Sequence, residues 1–505
     1  MTTAEKMTKL NGYLGKMENL EHTIKILNYD METACPEKGM EDDSDGIVAL
    51  QGQIFEISKS QEYTSLVKDL YEHDFAKLDV WGQRLVKDLY KSVRHEEAID
   101  PETNRQANEL FTKAYITWLK AKKDSSYPEF APVLQQIYEM EVKLLKLRYD
   151  CDTKELYNSL FDDYEEGFTV KDLDVFFADL EKGIVPLLAK VRKASYSPRH
   201  DFLTRKVPLA KQEAFTTYLL KHNGFDFTRG SVSTTEHPFT EQFGLNDVRV
   251  TTKYMENNFI SNMYSIIHEG GHALFGQNIP EEVYTRHLGE GSLSMGKHES
   301  VSRFYENRIG RSQAYIDSIY PDFTKLFHDE LGDVSATDFY EGVNYVDLAN
   351  PLRTEADELT YSLHIIIRYR LERKIMAGQA DFATLDKEWN KLYQELLGIT
   401  VHNDREGILQ DVHWASGFGY FPTYAIGNAL NAMYLKKLDS EIGFAKTVRA
   451  GKMDTILAWM KENVFKTAPL LDTKDWIKSI TGKEFSAKDY VDYLTKKYTE
   501  VYHLD

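Results

Sequence analysis

The sequence predicts a mainly α-helical protein, one large unit carrying a single small β-sheet. Three observations lead to that expectation. From about Glu5 to His200, charged segments carry apolar residues three or four apart, as in Leu110, Ala114 and Trp118 or Leu134, Ile137, Met140 and Leu144, the spacing that lines one face of a helix. Alternation with period two, the mark of a half-buried strand, begins only after residue 225 and is brief. From Arg353 to the end the helical spacing returns.

Along the N-terminal half, helix breaks fall at Pro36-Glu37-Lys38-Gly39, Asp100-Pro101, Tyr127-Pro128 and around Ser197-Pro198. Asn28-Tyr29-Asp30-Met31-Glu32 reads as a polar cluster ending a helix, a solvated turn. Strands are expected at Phe225-Asp226-Phe227 and at Asp247-Val248-Arg249-Val250-Thr251-Thr252, where Asp247, Arg249 and Thr251 share one face and Val248 and Val250 the other. Tyr284-Thr285-Arg286-His287-Leu288 suits a further strand. Gly407 to Tyr420, dense in polar and aromatic residues, reads as a functional loop. No fixed-period repeat and no linker rich in Gly, Ser or Pro divides the chain, so residues 1–505 are expected to form one domain.

Composition excludes several functions. A net charge of −19 argues against nucleic acid and against an anionic membrane as partners, since both need basic patches. Cys35 and Cys151 are the two cysteines, which excludes a disulfide framework and a thiolate zinc site; both are expected to be buried. The N-terminus has no basic and apolar leader and no stretch reaches bilayer length, which predicts a cytoplasmic protein without a membrane partner.

The chemistry is concentrated in Ser265 to Phe275, which contains His268-Glu269-Gly270-Gly271-His272, the pattern H-E-x-x-H. Residues i and i+4 stand one above the other on a helix, so His268 and His272 can offer two imidazole nitrogens to one divalent ion. Glu269 then lies beside the ion, placed to accept a proton from a water that the ion acidifies. Phe259, Met263, Ile266, Ile267, Gly270 and Leu274 form the buried stripe of that helix, which is expected to stop at Gly276 before Pro280. With 15 His in the chain, the pattern would arise by chance in roughly a few per cent of such sequences. A catalytic ion needs a third protein ligand, and Glu299, on a second helix, is the best candidate. Adjacent helical residues point about 100° apart, so His298 is left a surface or supporting role.

The ordered set His237-Pro238-Phe239, Asp247-x-Arg249-x-Thr251, His268-Glu269-Gly270-Gly271-His272, His298-Glu299-Ser300, Arg353-Thr354-Glu355-Ala356-Asp357 and Gly407-Ile408-Leu409-Gln410-Asp411-Val412-His413-Trp414 resembles the carboxypeptidase Taq family of metallocarboxypeptidases. The resemblance implies a large, saddle-like helical gluzincin fold with a deep central groove and a small sheet next to the H-E-x-x-H helix. Residues 1–200 would then form one groove wall and 201–505 the catalytic half. It implies one divalent metal per chain, zinc or else cobalt, held by His268, His272 and Glu299. It further implies a homodimer and removal of single C-terminal residues from peptides. Tyr29 stands where many relatives carry Trp, and Leu352 where Ile is common. Many peptidases with this ligand set place an Asp four residues beyond the ligand Glu to orient a His; here that position is Arg303, and the sequence does not show what replaces it.

Such an enzyme needs further groups. Arg353 is the candidate clamp for the substrate carboxylate, its bland alternative being an ion pair with Glu355 or Asp357; Arg249 is second choice. His413 and Tyr420 are the candidate oxyanion donors, with Tyr424 a weaker one. Gln410 and Asp411 are expected to shape the loop and Trp414 to pack. Two other readings are an endo-acting oligopeptidase with the same ligands and a peptide-binding scaffold without activity. The scaffold would be marked by a lost ligand or base, and His268, Glu269, His272 and Glu299 are all present.

Overall fold

A computed structural model describes residues 1–149, 156–289 and 293–504. The expected helices form and stop where local chemistry dictates. Thr3–Thr33 opens with a reciprocal cap between Thr2 and Glu5. Pro101–Asp124 starts with the Asp100 side chain accepting from Thr103 N and Pro101 in the first turn, and ends where Ser125 turns left-handed at φ 52°. Tyr127–Tyr149 and Val170–Arg192 follow. Among the described residues no helix is long and apolar enough to cross a membrane.

Three strands make the sheet: β1 Val232–Thr234, β2 Thr240–Gly244 and β3 Asp247–Thr252, in the order β1-β3-β2. β1 runs parallel to β3 and β2 antiparallel to it, with Thr240 opposite Val250. Val248 and Val250 are fully buried, whereas Arg249 points to the other face and stacks on Tyr29 and Phe243.

Four expectations are corrected. Phe225 to Phe227 is not a strand: Phe225 N closes the preceding helix on Leu220 O, and Asp226 Oδ1 accepts from Thr228 N in a tight turn. Tyr284 to Leu288 does not extend either. Thr285 N and Arg286 N bond to Glu281 O and Glu282 O, giving the single helical turn Glu282–Thr285. The cluster around Tyr29 belongs to the last turns of Thr3–Thr33, and Tyr29 is buried against Phe239 and Phe243. Cys35 is only partly buried, and Cys151 lies outside the described residues.

One connected apolar core runs from Leu10 to Tyr502. The helix Phe259–Asn278 crosses it, two residues longer at its end than expected. Its Ile266, Ile267, Leu274 and Phe275 are fully buried, each side chain stabilising the fold by roughly 1.5–3 kcal/mol. The glycines inside the motif have a packing reason. A Cβ on Gly271 would stand 2.8 Å from Ser302 Cα, so only glycine lets the helix Met295–Arg303 approach this closely. Gly427, in the helix Pro422–Ile442, makes similar room for Glu299, its own Cβ position lying 3.1 Å from that of Glu299. Close packing of three helices therefore delivers Glu299 to the two histidines.

Candidate metal centre and active site

His268 and His272 project from successive turns of Phe259–Asn278 towards the helix that carries Glu299. His268 Nε2 and His272 Nε2 lie 3.7 and 3.8 Å from Glu299 Oε2, and the three donor atoms all fall within 4.8 Å of one another. A tetrahedral ion with bonds of about 2.0–2.2 Å holds its ligands roughly 3.3–3.6 Å apart, so the three fit one small divalent ion after a slight contraction.

The opposite ring nitrogens are engaged. His268 Nδ1 is 2.9 Å from Glu306 Oε2, which assigns the proton to Nδ1 and leaves the Nε2 lone pair facing the centre. His272 Nδ1 is 3.4 Å from His298 Nδ1, giving His298 the supporting place expected of it. Glu306 thus fills the role that Arg303 cannot. Burial opposes its ionisation, but Arg303, His268 and Arg311 outweigh burial and hold the carboxyl well below the usual range. Arg303 instead orients the third ligand. Its Nε donates to Glu299 Oε1 at 2.7 Å and its Nη1 reaches Glu306 at 3.1 Å, which leaves Glu299 Oε2 to the histidines. Burial would lower the affinity of His268 for a proton, yet Glu299 and Glu306 reverse this. Surroundings that favour a cation on the ring favour a metal cation beside it. His272, pushed well down by burial and then by His268 and His298, is in the neutral form that ligates.

Glu269 is buried and its Oε2 accepts from Thr240 Oγ1 at 2.7 Å. Burial raises its proton affinity above that of an ordinary carboxylate, with His268 acting against the shift. Thr240 belongs to β2, so the sheet places a hydroxyl against both the carboxylate and the backbone carbonyl of Glu269.

The loop before Pro422–Ile442 brings His413 and Tyr420 together with Tyr424. His413 Nε2 is 3.3 Å from Tyr424 Oη, and the rings of His413 and Tyr420 and of Tyr420 and Tyr424 both pack with centroids 5.3 Å apart. His413 Nδ1 is buried without a partner. Burial pushes His413 down to about 4, with Arg353 and Arg368 adding to it, so it is neutral at pH 7. Burial raises both tyrosines and the charge of Glu299 adds to each shift, keeping the phenols protonated and able to donate.

Arg353 is buried, and neither Glu355 nor Asp357 is its partner. Nε and Nη2 both reach Asp411 Oδ1 at 2.9 Å, and Nη1 donates to Tyr361 Oη at 3.2 Å. Asp411 is shared with Arg368, so it ties the loop to two helical cations. Arg249 is not brought to the centre. Thr240, opposite Val250, points at Glu269, which places Arg249 on the far face of the sheet, paired with Asp247 at 2.7 Å.

The structure brings His268, His272 and Glu299 together with Glu269 beside them, and gathers His413, Tyr420, Tyr424 and Arg353 into a second cluster, joined to the first through Tyr361, on which Arg303 stacks and to which Arg353 donates; Arg249 lies on the far face of the sheet. Sequence reasoning missed Glu306, Arg303, Thr240 and Tyr361. Glu306 had a usable signal, because it stands two turns beyond Glu299 on the same helical face.

The profile of the family described as Carboxypeptidase Taq (M32) metallopeptidase matches residues 9–498. This chain belongs to the carboxypeptidase Taq (M32) family. Carboxypeptidase 1 of Bacillus subtilis is 36% identical over 493 residues, covering 97% of each chain. Thermostable carboxypeptidase 1 of Pyrococcus furiosus is 32% identical over 484 residues, covering 94% of this chain and 95% of its own. The crystal structure of the M32 carboxypeptidase from Deinococcus radiodurans R1 superposes with a TM-score of 0.93 at 29% identity, across 99% of this chain and 100% of that one. The helical fold with one small sheet is thus the M32 fold, and the protein is a metal-dependent carboxypeptidase acting on peptides.

Proposed function

We propose that this M32 enzyme releases single residues from the free C-terminus of peptides, with Glu269 as general base and one zinc ion per chain, cobalt being the alternative, held by His268, His272 and Glu299. The observation that carries the reading is the convergence of three donor atoms beside a buried carboxylate whose rotamer Thr240 fixes. When bound, the ion would polarise the scissile carbonyl and acidify the attacking water. Glu269 takes the proton at Oε1, the oxygen that Thr240 leaves free, and delivers it to the departing amine. His413 and Tyr420 donate to the oxyanion of the tetrahedral intermediate, and Tyr424 orients His413 from 3.3 Å. Arg353 holds the terminal carboxylate with the N–H groups that Asp411 and Tyr361 do not use.

The 1–505 chain acts as one unit in this reading, residues 1–200 forming one groove wall. Trp118 Nε1 on Leu409 O at 3.1 Å and Lys122 Nζ on Gln410 O at 2.8 Å, both gripping the functional loop, support it. A homodimer completes the proposal, on the strength of the family resemblance, and a chain with only two cysteines fits a cytoplasmic location; light scattering in solution tests the dimer.

Mass spectrometry of a mixed peptide pool after incubation with metal-replete enzyme is the deciding experiment. Ladders shortened one residue at a time from the C-terminus are expected, with C-terminally amidated peptides left intact. Equal cleavage of the amidated forms would establish an endo-acting oligopeptidase instead.

A further inference from the structure

His413 and Tyr420 bound the second half of the Gly407–Tyr420 loop, yet their ring centroids are 5.3 Å apart, so this part of the loop folds back on itself. Between them Gly417 and Gly419 hold φ of 126° and 92°, which bends the chain without supplying any side chain to fix the bend. The anchor at Asp411, held by Arg353 and Arg368, lies before His413 and does not reach the Tyr420 end. The His413 ring packs on Phe421, the residue after Tyr420, with centroids 4.5 Å apart, and a buried carboxylate adds polar bonds to both ends.

Glu372, on the helix Tyr361–Met376, is fully buried beneath the loop. Its Oε1 accepts from Trp414 Nε1 at 2.8 Å, and its Oε2 accepts from Gly419 N at 3.0 Å and from Tyr157 Oη at 2.6 Å. Trp414 directly follows His413, and Gly419 directly precedes Tyr420. One carboxylate therefore touches both ends of this part of the loop, and two of its three bonds belong to the loop. We propose that Glu372 is a positioning residue whose carboxylate staples these two ends and so sets the spacing of His413 and Tyr420. Each loop donor is buried, and without Glu372 each would lack a partner, so the loop would have to move to satisfy them. Burial pushes the Glu372 carboxyl up and the donors from Tyr157, Trp414 and Gly419 act against it, as expected of an acceptor that the fold has surrounded with N–H and O–H groups. This inference rests on the reading of His413 and Tyr420 as oxyanion donors.

The test compares four variants of the metal-loaded full chain on one short free-acid peptide: Glu372→Gln, Trp414→Phe, Tyr157→Phe and His413→Ala. Glu372→Gln keeps the shape but turns an N–H donor on one of its partners, and Trp414→Phe removes one loop donor while leaving the carboxylate in place. Each is expected to lower kcat about 10- to 100-fold with KM within about threefold and metal content unchanged, the loss that a displacement of about 1 Å produces in a catalytic group. Tyr157→Phe removes the bond that does not touch the loop, so its kcat is expected to stay within about threefold of wild type even where stability falls. A purely structural carboxylate would lower stability in Glu372→Gln and Tyr157→Phe alike and leave kcat unmoved in both. Should Glu372→Gln not fold, Trp414→Phe carries the same comparison. Wild-type kcat in Glu372→Gln or Trp414→Phe, alongside a large loss in His413→Ala, overturns the positioning role alone. Wild-type kcat in His413→Ala overturns the reading of the loop, and the staple with it.

Discussion

Replacing Glu306 with Gln isolates the support of the metal centre from its ligands. Glu306 is not itself a ligand, but its Oε2 receives the Nδ1 proton of His268 at 2.9 Å and Arg303 Nη1 at 3.1 Å. Gln keeps the volume and one acceptor oxygen and removes the charge. The His268 contact then falls from a charge-assisted hydrogen bond to a neutral one, and the imidazole loses the anion that makes its Nε2 more basic. A charge-assisted bond stabilises by about 1.5–3 kcal/mol and a neutral one by about 1 kcal/mol, so the difference is about 0.5–2 kcal/mol. That alone corresponds to a metal Kd weakened roughly 2- to 30-fold, and the lost basicity of the ligand carries the expected loss to about 10- to 100-fold. The assay is competition for Zn²⁺ between the apoprotein and a chelating dye at fixed pH, with near-ultraviolet circular dichroism to confirm packing. A Glu306→Gln Kd within about twofold of wild type would refute the argument that this carboxylate tunes the metal ligand.

Three further outcomes are expected. Glu269→Gln should bind metal as the wild type does and lose most turnover, because only the proton acceptor is removed; metal analysis beside a rate measurement checks both halves. Arg353→Ala should lower kcat/KM on a free-acid peptide by about 2–4 kcal/mol, roughly thirty- to a thousand-fold, with Lys rescuing only part. Its removal also frees Asp411, so the amide serves as the control: an equal loss on both substrates would make Arg353 a support of the loop and not a clamp. Glu141, buried with its carboxyl pushed up to about 7, should make stability depend on pH. Its folded value lies above the unfolded one, so its stabilisation is complete below about pH 4 and is lost as pH rises through 7. Glu141→Gln should match the wild type at pH 4 and exceed it at pH 8 by up to about 3 kcal/mol in denaturant midpoints; a constant difference across that range would reject the shift.

The sequence by itself determined whatever depends on spacing within one element. His268, Glu269 and His272 are legible because residues four apart share a helical face, and the breaks at Pro36, Asp100 and Tyr127 are legible because caps and prolines act on their own turn. Alternation splits β3 into two faces but does not say which face meets the H-E-x-x-H helix, and so it leaves Arg249 a candidate clamp although the side chain looks towards Tyr29. The run from Tyr284 to Leu288 suits a strand by sequence because so few residues do not distinguish period two from one helical turn. Only the tertiary structure decided the partners. Asp411 meets Arg353 across 58 residues, Thr240 meets Glu269 across 29, and Glu372 meets Tyr157 across 215. Glu306 reaches His268 through the wide π-helical turn Phe304–Gly310, packed against that ligand's helix. Backbone preferences act over one or two turns, whereas these pairings are set by which helices share a core, and the glycines at 271 and 427 that permit the approach of Glu299 reveal their reason only once the packed neighbours are in place.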